Sequence, residues 1–195
     1  MSRAGFDEAE AWSKARGGDD AAFASLFDAH RDRVFGHALR LLRHPHDAED
    51  VTAIVFLEAW RRRDAVRLVE GSIIAWLLVT TNNTVHNHDR SVRRYHRALA
   101  RLPRPADQDD HAPDIDASID NDASTIRVRS AFARLAPRDQ DVITLCVLEE
   151  LPLSEAAHVL GIPVGTVKSR LSRARQRLAD LTTTAVPTIL EGGAE

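Results

Sequence analysis

Five cationic side chains, Lys168, Arg170, Arg173, Arg175 and Arg177, lie in the stretch HVLGIPVGTVKSRLSRARQRL, His158 to Leu178, which holds no acidic residue. Groups of that kind suit nucleic acid: Arg or Lys pairs with guanine O6 and N7 or with phosphate, and Ser and Thr hydroxyls adapt to either. At about 100° per residue, Val164, Val167, Leu171, Ala174 and Leu178 form one apolar stripe, with Ser169, Ser172 and Gln176 on the opposite arc. This spacing predicts an amphipathic helix. Just upstream, Leu153, Ala156, Ala157 and Leu160 show the i, i+3, i+4, i+7 spacing of another helix, and Gly161 fits the left-handed position that ends it. Two helices joined by a short glycine turn have the form of a helix-turn-helix, whose second helix lies in the DNA major groove. A solvated helical hairpin shares that turn, so it is the charge asymmetry of the second helix that favours DNA.

The elements around this pair bound what the chain can be. Its 195 residues suffice for one large domain or two small ones, and the net charge of −3 excludes a uniformly basic nucleic-acid binder. Local patches carry the positive charge instead. His86 to Arg104 holds six Arg against one Asp, or +5, whereas Pro103 to Asp122 holds seven Asp against one Arg, or −6. The single cysteine, Cys146, sits among Val142, Ile143, Leu145 and Leu148 and reads as a small buried hydrophobe, not as a nucleophile or metal ligand. The N-terminus has no apolar signal core, and the run IIAWLLV is far short of the ~20 residues needed to span a bilayer. The expectation is a cytoplasmic protein without membrane insertion.

Helical periodicity recurs along the chain. Phe23, Leu26, Phe27, Val34, Ala38 and Leu41 mark a helix entered through Asp19 or Asp20 and ended near Pro45. Val51, Val55 and Ala59, with Phe56 and Trp60 alongside, mark another from Asp47 to about Arg62; Ile74, Leu77, Leu78, Thr81 and Val85 mark a third after Gly71. The Asp- and Pro-rich stretch that follows reads as an exposed flexible linker. Beyond it Val128, Ala131, Phe132 and Leu135 mark one helix, and Pro137 opens another through Val142, Ile143, Cys146 and Leu148. No alternating strand pattern or repeat is present. The expected fold is all-α, two small helical domains at 21–97 and 124–182 on an acidic tether at 98–123.

Three motifs in this order carry a resemblance. DAEDVTAIVFLEAW, AWLLVTTNNTVHNHDRSVRR and LPLSEAAHVLGIPVGTVKSRLSRARQRL resemble the bacterial sigma-70 family, in particular the compact extracytoplasmic-function (ECF) sigma factors that keep only a second and a fourth conserved region. The last motif is the most specific. The resemblance implies a non-enzymatic protein with no cofactor or bound metal, which binds core RNA polymerase and promoter DNA to direct transcription initiation. By the same resemblance, Asp47, Glu49, Asp50, Phe56 and Trp60 face the polymerase clamp. Asn83 and Asn87 face the −10 strand, with Arg90, Arg93 and Arg94 as phosphate contacts. Thr166, Lys168, Ser169, Ser172 and Arg173 face the −35 element, where Arg170 joins them and, like Arg175 and Arg177, serves as a phosphate anchor or surface charge. An anti-sigma factor is a further candidate partner. The chain departs from many relatives at Ala53 and Ile54, in place of a Gln-Glu pair, and at Val79, in place of an Arg.

Two rivals compete with this reading. His46-Asp47 with His44 and a distant His30 could suggest a metal-dependent phosphohydrolase, but a metal needs three or more converging ligands with support, and His44 and His46 straddle Pro45. A dimeric repressor would share the helix-turn-helix. It would not explain the acidic helix and the +5 segment of the first half.

Overall fold

Asp7 and Asp19 each begin a helix by the same device, a carboxylate that accepts the backbone N–H three residues on, from Glu10 and Ala22, each at 3.0 Å. The helices they open are α1 (Glu8–Arg16) and α2 (Asp20–Leu42). The structure is a computed structural model that describes residues 7–99 and 123–183, so of the acidic tether expected at 98–123 all but its helical ends, residues 98, 99 and 123, lies outside the described residues. Arg43 ends α2 in a left-handed cap at φ 64°, and Pro45 then starts α3 (Pro45–Arg61) in the first turn, where a missing N–H costs no helical hydrogen bond. A tight Glu70-Gly71 turn, closed by paired hydrogen bonds between Val69 and Ser72, leads into α4 (Ile74–Leu99). After the linker come α5 (Ala123–Ala133), α6 (Pro137–Ile143), a π-helical turn (Thr144–Leu148), α7 (Leu153–Leu160) and α8 (Val164–Thr183). Among the described residues there is no strand beyond that single bridge.

The first core gathers Leu26, Val34, Val51, Val55, Phe56 and Leu77 from α2, α3 and α4. It also takes in Trp12, 1% exposed, from α1, a helix that lies outside the domain expected to begin at residue 21. Glu8 fastens that helix: its Oε1 accepts from the Ile73 amide at 2.7 Å and from the Ser72 hydroxyl at 2.9 Å, and lies 2.7 Å from His30 Nε2. Burial by itself would raise the Glu8 pKa, but the hydrogen bonds from His30 and Ile73 outweigh it and hold the carboxyl below its ordinary value. His30 is thereby committed to a structural pair. The second core gathers Phe132, Leu135, Val142, Leu145, Val167 and Leu171. Val128, expected to point inward, is 48% exposed, because α5 is anchored by Ala131 and Phe132 one turn later.

The two domains are packed on each other, where the sequence pattern predicts only a tether. Val69 and Ala75 of the first belong to the apolar core of the second. Beside them Asn82, with no solvent exposure, donates through Nδ2 to Asp141 Oδ1 at 3.1 Å and to Thr144 Oγ1 at 3.0 Å, and its Oδ1 lies 2.8 Å from His37 Nε2. Because Oδ1 can only accept, His37 carries its proton on Nε2. Two ties at the rim complete the contact: Arg33 pairs with Glu149, and Arg67 Nη1 donates to the His158 carbonyl at 2.7 Å.

The two titratable groups of this seam oppose each other. Burial lowers the His37 pKa from 6.5 to about 4 against the Asn82 bond, with Arg40 and Arg33 adding to the depression. Burial raises Asp141 from 3.8 to about 6 despite Asn82 and Arg170. A histidine with a depressed folded pKa contributes stability that is complete above pH 6.5 and is lost as the pH falls toward 4; a carboxyl with a raised folded pKa contributes stability that is complete below 3.8 and is lost as the pH rises through 6. Between these limits the slopes cancel. Asp141→Asn removes one of them, so urea melts from pH 6.5 to 4.5 should show the variant losing about 1 kcal/mol per pH unit more than wild type. Equal slopes would refute the opposition.

Candidate nucleic-acid interface

Gly161 ends α7 at φ 65° and ψ 36°, and the Ile162 amide turns back to the Ala157 carbonyl at 3.2 Å. The backbone conformation calls for glycine there, and a side chain would also displace the flexible end of Arg67. The backbone is left-handed, and a Cβ would stand 2.5 Å from the Arg67 guanidinium that presses on the turn. From this corner α8 leaves with Val167, Leu171 and Ala174 buried against α6 and α7. Val164, foreseen on that stripe, is 46% exposed because it stands at the first position of the helix, before the stripe meets a neighbour.

Opposite the buried stripe, Lys168, Ser169, Ser172 and Arg173 are exposed and Thr166 is half-buried. The Ser169 hydroxyl donates to the Thr166 carbonyl at 3.1 Å and Arg173 Nε to the Ser169 carbonyl at 3.3 Å, so this row is held along the helix, with most of the guanidinium donors still facing outward. Arg170 and Arg177 are different. Arg170 is half-buried and acts electrostatically on Asp141, while Arg177 Nη1 binds Asp139 Oδ2 at 2.9 Å, a carboxylate whose side chain is only 12% exposed. Arg177 is thus a surface charge, its side chain 62% exposed, that also ties α8 to α6 through Asp139.

On α4, Asn83, Asn87, Arg90 and Arg94 are exposed, and their i, i+4, i+7, i+11 spacing puts them on one face. The Arg93 side chain lies outside the described residues. Asn82, one residue from Asn83, points the other way into the domain seam, a role that no periodicity reveals because an asparagine looks alike in either setting.

On α3, the foreseen clamp residues separate. Glu49 and Asp50 are exposed; Asp47 is half-buried, 3.7 Å from His88 Nε2. Phe56 is 3% exposed, with ring contacts to Phe27 at 4.7 Å and Phe23 at 6.4 Å, so it belongs to the core and not to an outward face. Trp60 is half-buried against Phe23, under the Arg63 guanidinium at 5.0 Å. The outward apolar groups are instead Ile54 and Leu57, 45% and 53% exposed, between exposed Asp50 and Arg61. Sequence periodicity could have found them, since they fall between the inward positions Val51, Val55 and Ala59. Among the described residues no group of His, Cys, Asp and Glu is placed to hold a metal ion, and no helix is long and apolar enough to cross a membrane.

Comparison with known proteins places this geometry. The sigma-70 region 2 profile matches residues 26–95 and the sigma-70 region 4 profile matches residues 125–178. The chain is 32% identical over 170 residues to the ECF RNA polymerase sigma factor SigE of Mycolicibacterium smegmatis, covering 84% of this chain and 63% of that protein. It is 30% identical over 171 residues to the ECF RNA polymerase sigma factor SigK of Mycobacterium bovis, covering 85% and 88%. In fold it is similar to the sigma factor RpoE of Bartonella quintana, solved in complex with the anti-sigma factor NepR, with a TM-score of 0.53 and 22% identity over 84% of this chain and 98% of that one.

Proposed function

Since the chain belongs to the sigma-70 family, among its ECF RNA polymerase sigma factors, we propose that it binds core RNA polymerase and directs promoter-specific initiation by reading a −10 and a −35 element. The observation that carries this reading is the pairing, on one chain, of two outward faces of different chemistry. Amides and arginines line α4, which suits unstacked bases and their phosphates; hydroxyls, Lys168 and Arg173 line α8, which suits base edges in a major groove. The ridge of Ile54 and Leu57, rimmed by Asp50 and Glu49, provides the third surface, an apolar centre with an acidic edge for the polymerase. Nucleotide chemistry in this scheme belongs to the polymerase, and the chain acts in the cytoplasm as a non-catalytic subunit. An anti-sigma factor is a candidate partner, on the precedent of the Bartonella protein.

Run-off transcription tests the proposal. Core polymerase with the purified chain and a genomic template library should start at discrete sites that share two upstream elements, and core polymerase alone should not. A chain that leaves the start sites of core polymerase unchanged is not a sigma factor.

A further inference from the structure

The corner where α2 meets α5 concentrates positive charge. Arg33 and Arg40 stand two turns apart on α2 and so share a face, with His37 buried between them. Arg129, half-buried, comes from α5, which packs on α2. The carboxylate that meets them is Glu149, just after the π-turn; its side chain is 12% exposed and pairs with Arg33. Among the described residues, Arg40 and Arg129 donate no hydrogen bond and make no ion pair. Three guanidinium groups against one carboxylate leave a surplus of two positive charges, and His37, whose pKa lies at about 4, adds none at neutral pH. Arg40 registers that surplus. Burial first, then Arg129, with Arg33 adding, lower its pKa, and Glu149 offsets them only in part.

We propose that Arg40 and Arg129, with Arg33 beside them, form a binding site for a small phosphorylated ligand, held by its phosphomonoester dianion. The charge of such a group equals the surplus, so binding removes the repulsion among the guanidinium groups. Guanidinium forks also match phosphate oxygens two at a time, which Lys does not. A compact anion fits better than a polymer here, because the cations converge from two elements, whereas a nucleic-acid backbone needs a row of them such as Arg90 and Arg94 on α4. Glu149 is the internal competitor. It engages Arg33 and lowers the positive potential of the corner, so the occupant must outbid a carboxylate already in place.

The test titrates the full chain with inorganic phosphate at pH 8, where phosphate is a dianion, at constant ionic strength and followed by phosphorus NMR. Binding should saturate at one phosphate per chain. Arg40→Gln and Arg129→Gln should each weaken it by about tenfold or more, the loss expected for one charged hydrogen-bond partner. Glu149→Gln should tighten it by about threefold, a gain that a purely structural role for these residues does not produce. Arg127→Gln, exposed on another face of α5, should leave it unchanged. Circular dichroism checks the fold, and Arg129→Lys, which keeps the charge without the fork, should still weaken binding by about threefold if the glutamine variants do not fold. Dimethyl phosphate, a singly charged model of a nucleic-acid backbone, should bind at least about tenfold more weakly than phosphate. No saturable binding, equal losses in Arg40→Gln, Arg129→Gln and Arg127→Gln, or equal affinity for the diester would overturn the site. Binding that appears only once the seven Asp between Pro103 and Asp122 are replaced by Asn would make the chain's own carboxylates the occupant, and would overturn it as well. Polymerase enters none of these measurements, so the site and the functional reading fail separately.

Discussion

Replacing Ile54 and Leu57 together by glutamate weakens binding to core RNA polymerase by about a hundredfold or more, while the melting temperature stays within a few degrees of wild type. Both side chains are about half exposed on the ridge of α3, so neither contributes much to the fold, and surface substitutions of that kind usually change stability by about 0.5 kcal/mol or less. At a protein interface the balance reverses. Central apolar anchors are worth about 2 kcal/mol or more each, and a buried unpaired carboxylate adds a desolvation cost, which together exceed the roughly 2.7 kcal/mol that corresponds to a hundredfold. Fluorescence anisotropy of labelled chain titrated with core polymerase reads the affinity, and circular dichroism reads the fold. Unaltered affinity would remove α3 from the polymerase interface. Phe56→Ala supplies the contrast: its ring lies between Phe23 and Phe27 in the core, so its loss should lower stability by about 3–5 kcal/mol and reduce binding only through unfolding.

The contrast between Leu57 and Phe56 shows how far the sequence can be read. Helix positions, the Gly161 corner and the α8 stripe are legible because burial on one face imposes a 3.6-residue period and a left-handed cap restricts residue choice. Periodicity sets Phe56 beside the buried row and the family resemblance sets it at the clamp; a large aromatic next to acidic residues fits a hot spot and a core equally well, and only the packing of Phe23 and Phe27 decides between them. Helix α1 escapes a periodicity search although its signals are present: an Asp7 cap, acids in the first turn, Lys14 and Arg16 in the last and Gly17-Gly18 after it. With few apolar residues its periodicity is weak, and the group that fixes it, Glu8, acts through distant partners in His30, Ser72 and Ile73. The seam is harder still. Asn82 and Asp141 are polar residues 59 positions apart whose burial depends on how two domains meet, and local pattern carries no trace of that.

The two arginines of α8 should part company for the same physical reason. Arg173→Ala should lower discrimination between correct and altered −35 sequences by about 10- to 100-fold, the range expected when about 1–3 kcal/mol of base-edge pairing is lost. Arg177→Ala should leave that discrimination intact, because its exposed guanidinium is engaged by Asp139 through Nη1 and lies off the Lys168-Arg173 row. Removal of Arg177 strands a carboxylate that is 12% exposed beside α8, so the expected loss is one of folding stability, on the order of 1–3 kcal/mol in a urea melt. A phosphate contact would behave otherwise, weakening all DNA alike and lowering the salt dependence of binding by about one unit. Binding of both variants to matched and mismatched duplexes across a salt series separates the cases. A uniform loss with a reduced salt slope for Arg177→Ala would return that side chain to the DNA surface, whereas loss of sequence preference in Arg173→Ala alone identifies the outward row of α8 as the reader.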